Sequence, residues 1–361
     1  MTAWPDRRIL ELFGIELPIL QAPMAGASTP EMAIAVSTAG GLGALPCAQY
    51  DLAGARAALA QVRAATTRPI NVNFFCHRMP PPDPAEDRRW RARLADYYRA
   101  LGLDPAMPTP PAGRTPFDAA FCTWLEETRP EVASFHFGLP EPALLRRVKA
   151  TGAKVIASAT TVKEARWLEA EGCDAVIAMG FEAGGHRGIF LSDDPASDMA
   201  RQVGTFALVP QVADAVKIPV IAAGGIADAR GIVAAFALGA AAVQIGTAYL
   251  FTPEAKIPAW HRAALENASD DATMVTNLFT GRPARGIANR LMREIGPLSA
   301  EAPRFPLAGG GLMPLRQVAE AAGSGDFSSQ WAGQAAALGR SLPAGELTRK
   351  LAAEALARLA R

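Results

Sequence analysis

The sequence predicts an α/β fold: eight strand–helix units closed into a (β/α)8 barrel, with a smaller inserted and C-terminal capping domain. Three observations predict it. Short apolar runs alternate with longer amphipathic stretches along most of the 361 residues. The short runs are continuously hydrophobic, the mark of parallel strands buried on both faces. There are eight of them, which favours closure over an open sheet. A barrel of this kind needs about 250 residues, so the chain has room for a second domain.

The units follow in order. "PILQAPM" (18–24) is the first strand and "TPEMAIAVSTAG" (29–40) its helix, ending at glycine. "GLGALP" (41–46) is the second strand, followed by the helix "LAGARAALAQVRAA". "PINVNFF" (69–75) is the third, and its helix is delayed until about residue 117. "EVASFHF" (131–137), "KVIASAT" (154–160) and "AVIAMGF" (175–181) follow, each with a helical stretch after it. "PVIAAGGI" (219–226) and "AVQIGTAYL" (242–250) complete the set, with a last helix through Ala264. This is the pattern of a TIM barrel.

Two regions break the rhythm. Residues 76–116 carry "RMPPPDPAEDRR" and "DPAMPTPPAGRTP". Their prolines argue for an excursion from the barrel, with one helix around 86–101. Residues 266–361 carry helical patterns and glycine-rich loops without a strand–helix repeat. The expected division is therefore 1–75 with 117–265 as the barrel, and 76–116 with 266–361 as the cap.

Composition narrows the function classes. The net charge is +1, from 36 basic and 35 acidic residues, so no strong field favours nucleic acid or membrane. The arginines around 87–93 and at 146–147 lie near acids in helical patterns and read as solvated faces. The four cysteines, at 47, 76, 122 and 173, form no CxxC pair and suggest neither zinc nor a disulfide framework, which fits a reducing, cytoplasmic setting. The first residues, "MTAWPDRRILELFG", have no apolar core of a secretory signal. No run approaches the length of a membrane span.

In such barrels the active site lies at the C-terminal ends of the strands. The tips offer Gln21 to Met24, Asn73, His136, Ser158, the loop with His186, Gly224 and Gly225, and Gln244 to Thr247. Glycines at the last two tips let the backbone approach an anion at a helix start, and phosphate sites recur after strands seven and eight. Plain tight turns are the other reading. Pro23 and Met24 offer an apolar wall for a planar ring, and Asn73 an amide for its polar edge. In "GFEAGGHRG" the glycines let the chain turn sharply and expose the imidazole of His186, which titrates near neutrality. His136 faces the same mouth only if the strand's alternation turns it inward. His77 and His261 have no supporting context. Tyr249 and Phe279 are read either as pocket or as core residues. No metal-ligand spacing is present.

The pieces "QAPMAG", "NVNFF", "SFHFG", "GFEAGGHRG", "IAAGGI", "QIGTAYL" and "TGRPARG" run in order from residue 21 to 286. Together they resemble the nitronate monooxygenase family, formerly 2-nitropropane dioxygenase. The resemblance implies a TIM barrel with one FMN. It implies that Ala22, Pro23 and Met24 flank the isoalloxazine and that Asn73 hydrogen-bonds it. It implies that Gly184, Gly224, Gly225, Gln244, Gly246 and Thr247 hold the ribityl phosphate end. It makes His186 the active-site histidine and His136 a second pocket histidine. Two positions depart from the family pattern: Met179 stands where many relatives carry a flavin-bonding glutamine, and Ser158 where some wider relatives carry lysine.

The implied activity is oxidation of alkyl nitronates by O2 to a carbonyl compound and nitrite, with one-electron transfer to FMN. The implied protein is a cytoplasmic monomer or homodimer with a small-molecule substrate. The alternatives are an FMN-dependent NAD(P)H:quinone or enoyl reductase on the same barrel, and a flavin-free phosphate-binding barrel.

Overall fold

A computed structural model describes residues 4–108, 110 and 113–361. Thr109, Pro111 and Ala112 of the proline-rich excursion lie outside the described residues. Eight strands form one parallel sheet: Ile19–Gln21, Gly43–Leu45, Ile70–Phe75, Val132–His136, Lys154–Ala159, Ala175–Met179, Val220–Ala223 and Ala242–Ile245. The first strand pairs in parallel with the eighth, Leu20 opposite Gln244. It also meets the chain before the second strand, where Leu42 N–H donates to Ile19 O at 3.0 Å and Gln21 N–H to Leu42 O at 2.9 Å. Those two bonds close the ring, so the fold is the TIM barrel that the strand count predicts.

The strands are rich in apolar residues because both faces are covered. Every residue of Ile70–Phe75 and of Ala175–Met179 is buried. Helix starts follow local capping chemistry. Thr29, Asp51, Thr161 and Asp228 each accept a hydrogen bond from a first-turn N–H of the helix that follows.

Two elements differ from the sequence expectation. The eighth strand stops at Ile245; Gly246 turns the chain, and Thr247–Leu250 is a helical turn. "TAYL" is apolar because Ala248, Tyr249 and Leu250 are buried, and a short apolar run does not separate strand from buried helix. The second difference is the helix Ala344–Leu359, which the sequence reading placed with the cap. It packs against Pro30–Thr38 and Ala229–Ala237, with Leu347, Leu351 and Ala355 in the barrel core. The eighth strand is followed at once by only a four-residue helix. The C-terminal helix fills that gap in the outer ring.

Above the barrel mouth lies a separate apolar cluster. Trp90, Leu94 and Tyr98 of Pro84–Ala100 pack on Leu312 and Leu315 of Ala308–Ala321, with Leu278, Leu291 and Phe327 around them. Trp90 Nε1–H donates to Ala308 O at 3.1 Å and Tyr98 O–H to Gly311 O at 2.6 Å. Excursion and C-terminal region thus share one core. A small antiparallel sheet joins Thr273–Thr276 to Ala284–Ile287, and its third strand is Gly185–His186. The loop after the sixth barrel strand is therefore stitched to the C-terminal region at His186. Among the described residues, no helix is long and apolar enough to cross a membrane.

Candidate active site

The C-terminal strand ends surround a cavity of about 450 Å3. Ala22, Pro23 and Met24 reach it from the first tip and Asn73 from the third. His136, Ser158 and Met179 come from the fourth, fifth and sixth, then Gly184 and His186 from the following loop. Gly224 and Gly225 line it after the seventh strand; Gln244, Gly246 and Thr247 line it at the eighth. Every site residue expected from the sequence thus faces one space. Tyr249 and Phe279 do not. Tyr249 is buried in the barrel core with its hydroxyl 2.7 Å from Thr348 Oγ1, and Phe279 packs on Trp331 under the cap.

His186 sits deep in this space, only 9% exposed. Its Nε2 lies 2.9 Å from Thr280 Oγ1. The rings of Phe75, Phe137, Phe305 and Trp331 surround it at centroid distances of 5.4 to 6.1 Å. Burial holds its pKa well below the ordinary imidazole value, and the positive charge of Arg114 pushes the same way. The imidazole is neutral at neutral pH.

His136 is tied at both ring nitrogens. Nε2 lies 3.1 Å from the carbonyl oxygen of His186, and Nδ1 lies 3.1 Å from Ser158 Oγ. A carbonyl only accepts, so Nε2 carries the proton, and the serine hydroxyl donates to Nδ1. Burial pushes this pKa down to about 4, against the opposing pull of the bond to His186. His136 does turn inward, but its ring nitrogens are spent on the protein.

The polar wall is equally specific. Asn73 Nδ2 donates to Ser134 Oγ at 3.0 Å, which fixes the amide's orientation. Gln244 Oε1 is buried and has no hydrogen-bond partner among the described residues. Gly224 and Gly225 have φ of +111° and +69°, a backbone that side-chain-bearing residues rarely adopt. A Cβ on Gly224 would lie 2.9 Å from Thr205 Oγ1. A Cβ on Gly184 would lie 2.5 Å from Gly333 N, so that glycine lets the 329–335 segment close on the loop. One part of the phosphate expectation changes. The N–H groups of Arg230 and Gly231 at the helix start are taken by Asp228 Oδ1, which leaves the glycine turns themselves as the approach for an anion.

Several cavity residues were not expected from the sequence. Arg114, Phe75, Trp260, His261, Arg316, Glu320 and Trp331 all line it. His261 is buried with its Nε2 unpartnered among the described residues. His77 is buried against Phe305, its Nε2 donating to Arg114 O at 2.9 Å. Phe75 closes the third strand, and Trp260 and His261 lie on the helix Ala259–Glu266. Arg114 arrives from the excursion and Arg316, Glu320 and Trp331 from the C-terminal region, whose packing only the fold reveals.

Comparison with known proteins agrees with this geometry. The family model described as nitronate monooxygenase matches residues 6–354. A nitronate monooxygenase of Paraburkholderia phytofirmans is 43% identical over 356 residues, covering 96% of this chain and 94% of that one. The solved structure of a nitroalkane oxidase from Streptomyces ansochromogenes superposes with a TM-score of 0.88 at 40% identity, over 98% of this chain and 99% of that one. FabK from Thermotoga maritima superposes with a TM-score of 0.72 at 30% identity, over 99% and 98%. The chain belongs to the nitronate monooxygenase family, a family of oxidoreductase enzymes.

Proposed function

We propose that this chain is an FMN-dependent monooxygenase that uses O2 to convert alkyl nitronates to a carbonyl compound and nitrite. The observation that carries the proposal is the pairing in one cavity of a neutral, deeply buried His186 with the unsatisfied buried oxygen of Gln244. An acceptor left bare in a protein interior is costly, and a polar ligand edge relieves it. The residues present fit FMN. Ala22, Pro23 and Met24 form the apolar wall for the ring, with Met24 Sδ 3.6 Å from where a Gly246 Cβ would stand. Asn73 and Gln244 supply amides to polar edges. Gly184, Gly224, Gly225, Gly246 and Thr247 admit the phosphate end. Met179, a thioether lining the cavity, adds contact but no strong hydrogen bond.

When bound, FMN supplies the one-electron acceptor that O2 reoxidises. The protein's part is placement. His186, neutral and walled by aromatic rings, offers one N–H to the nitronate oxygens in a water-poor site where that bond is strong. A nitronate needs no base. A neutral nitroalkane does, and His186 is then the group that takes its α-proton. His136 holds the His186 backbone from behind. In this reading 1–75 and 117–265 form the flavin barrel, and 76–116 with the part of 266–361 that precedes the wall helix Ala344–Leu359 forms the cap. The four free cysteines fit a cytoplasmic enzyme.

The test is the absorption spectrum of FMN-loaded protein, taken without air, before and after an alkyl nitronate. The expected result is a flavin change that air reverses, with nitrite released. A spectrum untouched by nitronate but bleached by NADH would replace this reading with a reductase. Protein that stays colourless after refolding with FMN would point to the flavin-free alternative.

A further inference from the structure

The two tasks given to His186 need opposite states of one nitrogen. Its Nε2 lies 2.9 Å from Thr280 Oγ1, and Nδ1 makes no hydrogen bond among the described residues, so Nδ1 is the nitrogen left for the cavity. To hold a nitronate oxygen, Nδ1 must carry the proton. To take an α-proton, it must be bare. A neutral imidazole has one proton to place, and the partner of the far nitrogen decides where it sits.

That partner is unlike the one His136 has. His136 Nε2 faces a carbonyl oxygen, which only accepts, so its tautomer is fixed. His186 Nε2 faces a hydroxyl, which either donates or accepts. The turn that carries the hydroxyl supports both states. Thr280 Oγ1 lies 3.4 Å from Arg282 O, an acceptor for its proton, and 3.5 Å from Arg282 N, a donor to its lone pair. Among the described residues no carboxylate bonds either nitrogen of His186. The charged and titratable groups that act on the ring are Arg114, His136, Arg282 and His77, none of them an anion.

The turn is built onto the loop it serves. Gly281 has φ of +88°, and a Cβ there would collide with Pro303 O. Its N–H donates to Asn277 O at 2.7 Å. Just past it, Arg282 Nη2 donates to Ile189 O, Pro283 O accepts from Arg187 N–H at 2.8 Å, and Ala284 pairs with His186. These bonds hold the hydroxyl against the imidazole.

We propose that Thr280 is a positioning residue that lets His186 serve both as donor and as base. Its hydroxyl donates to Nε2 when Nδ1–H holds a nitronate oxygen. It accepts from Nε2–H, with its own proton turned to Arg282 O, when Nδ1 takes an α-proton. In that step the C–H bond breaks and its electron pair stays on the substrate as the nitronate. The proton goes to Nδ1, and the imidazolium keeps its Nε2–H on Thr280 Oγ1. The chemistry rests on the function proposed above; the pair of tautomers does not.

The test reads tautomer and chemistry separately. The chain has four histidines, so the nitrogen NMR signals of labelled imidazoles can be assigned by substitution. In FMN-loaded wild type at neutral pH, both His186 nitrogens are expected to resonate between the protonated and the bare positions, the mark of two tautomers in exchange. Thr280→Ser keeps that mixture and Thr280→Val shifts it. A single fixed tautomer in the wild type, or the wild-type mixture persisting in Thr280→Val, would overturn the proposal. In kinetics, Thr280→Val is expected to lose about tenfold more kcat/KM on nitroethane than on its preformed nitronate, the scale of one charge-assisted hydrogen bond. Only the neutral substrate makes His186 an imidazolium whose Nε2–H needs an acceptor. Thr280→Ser restores the ratio, and equal losses on the two substrates in Thr280→Val would overturn the proposal. If the wild type oxidises neither substrate, the reaction reading fails and the nitrogen spectra alone decide the role of the hydroxyl. Should Thr280→Val not fold, Thr280→Ala removes the same hydroxyl and is judged by the same two readouts.

Discussion

His136 Nε2 donates to the backbone carbonyl of His186 across 3.1 Å. The bond ties the tip of the fourth barrel strand to the loop after the sixth. On its other side that loop pairs with Ala284 and Arg285 of the small sheet. His186 is thus held between barrel and C-terminal region, and its imidazole is placed by its backbone as well as by Thr280. Ser158 completes the arrangement by holding His136 in one tautomer.

Ser158→Ala removes the donor to His136 Nδ1 and leaves a buried acceptor bare. The expected cost is about 1 kcal/mol of stability, with a several-fold rise in KM for nitronate as His186 loosens. Ser158→Thr restores both. Thermal unfolding and steady-state kinetics on the three proteins check this; an unchanged KM in Ser158→Ala would detach His136 from the placement of His186.

His186→Asn keeps a hydrogen-bonding group but no base. Turnover of a neutral nitroalkane is expected to fall by about 10²–10⁴, the usual contribution of a general base. Turnover of the matching preformed nitronate falls far less. Equal losses on the two substrates would remove the base from the mechanism.

The histidines set an acid limit on stability. His77, His136 and His261 have pKa values pushed down to about 4 by burial, and His186 is lower than the ordinary value as well. Above about pH 6.5 each is neutral whether folded or unfolded and contributes nothing. Between about 6.5 and 4 the unfolded chain takes up protons that the folded chain refuses. Stability therefore falls as pH falls through that window, by about 1.4 kcal/mol per pH unit for each such histidine. Urea unfolding at pH 7.5, 6 and 5 measures the slope. A flat profile would show these imidazoles titrating normally in the folded protein.

Gln244→Leu separates the fold from the ligand. Gln244 Oε1 has no partner among the described residues, so replacing it removes a buried unsatisfied acceptor. The apoprotein is expected to melt at the same temperature or higher. FMN binding, read by flavin fluorescence, is expected to weaken by about tenfold, the scale of one lost hydrogen bond in a closed site. Lower apoprotein stability with unchanged FMN affinity would mean that Gln244 serves the fold instead.

The barrel was readable because its signal is local. A strand such as Ala175–Met179, covered on both faces, is apolar at every position, and helix starts such as Asp51 and Thr161 carry their own caps. The strand tips were readable for the same reason: Gly224, Gly225, Gln244 and His186 lie next to the runs that place them. "TAYL" misled because burial, rather than extended backbone, made it apolar. Arg114, Arg316 and Trp331 had no signal of this kind. Each lies in a stretch whose neighbours say nothing about the cavity.

The sequence by itself determined the eight-unit barrel, the order of its tips and the residues that the tips present, because periodicity, capping and glycine turns act over a few residues. Only the tertiary structure decided that helix Ala344–Leu359 completes the barrel wall and that His136 is bonded to the His186 backbone. It also decided that Arg114, whose Nη1 has no partner among the described residues, lines the cavity. Those are contacts between segments far apart in the chain, and their partners are selected by shape, burial and charge in the folded state, which no local pattern records.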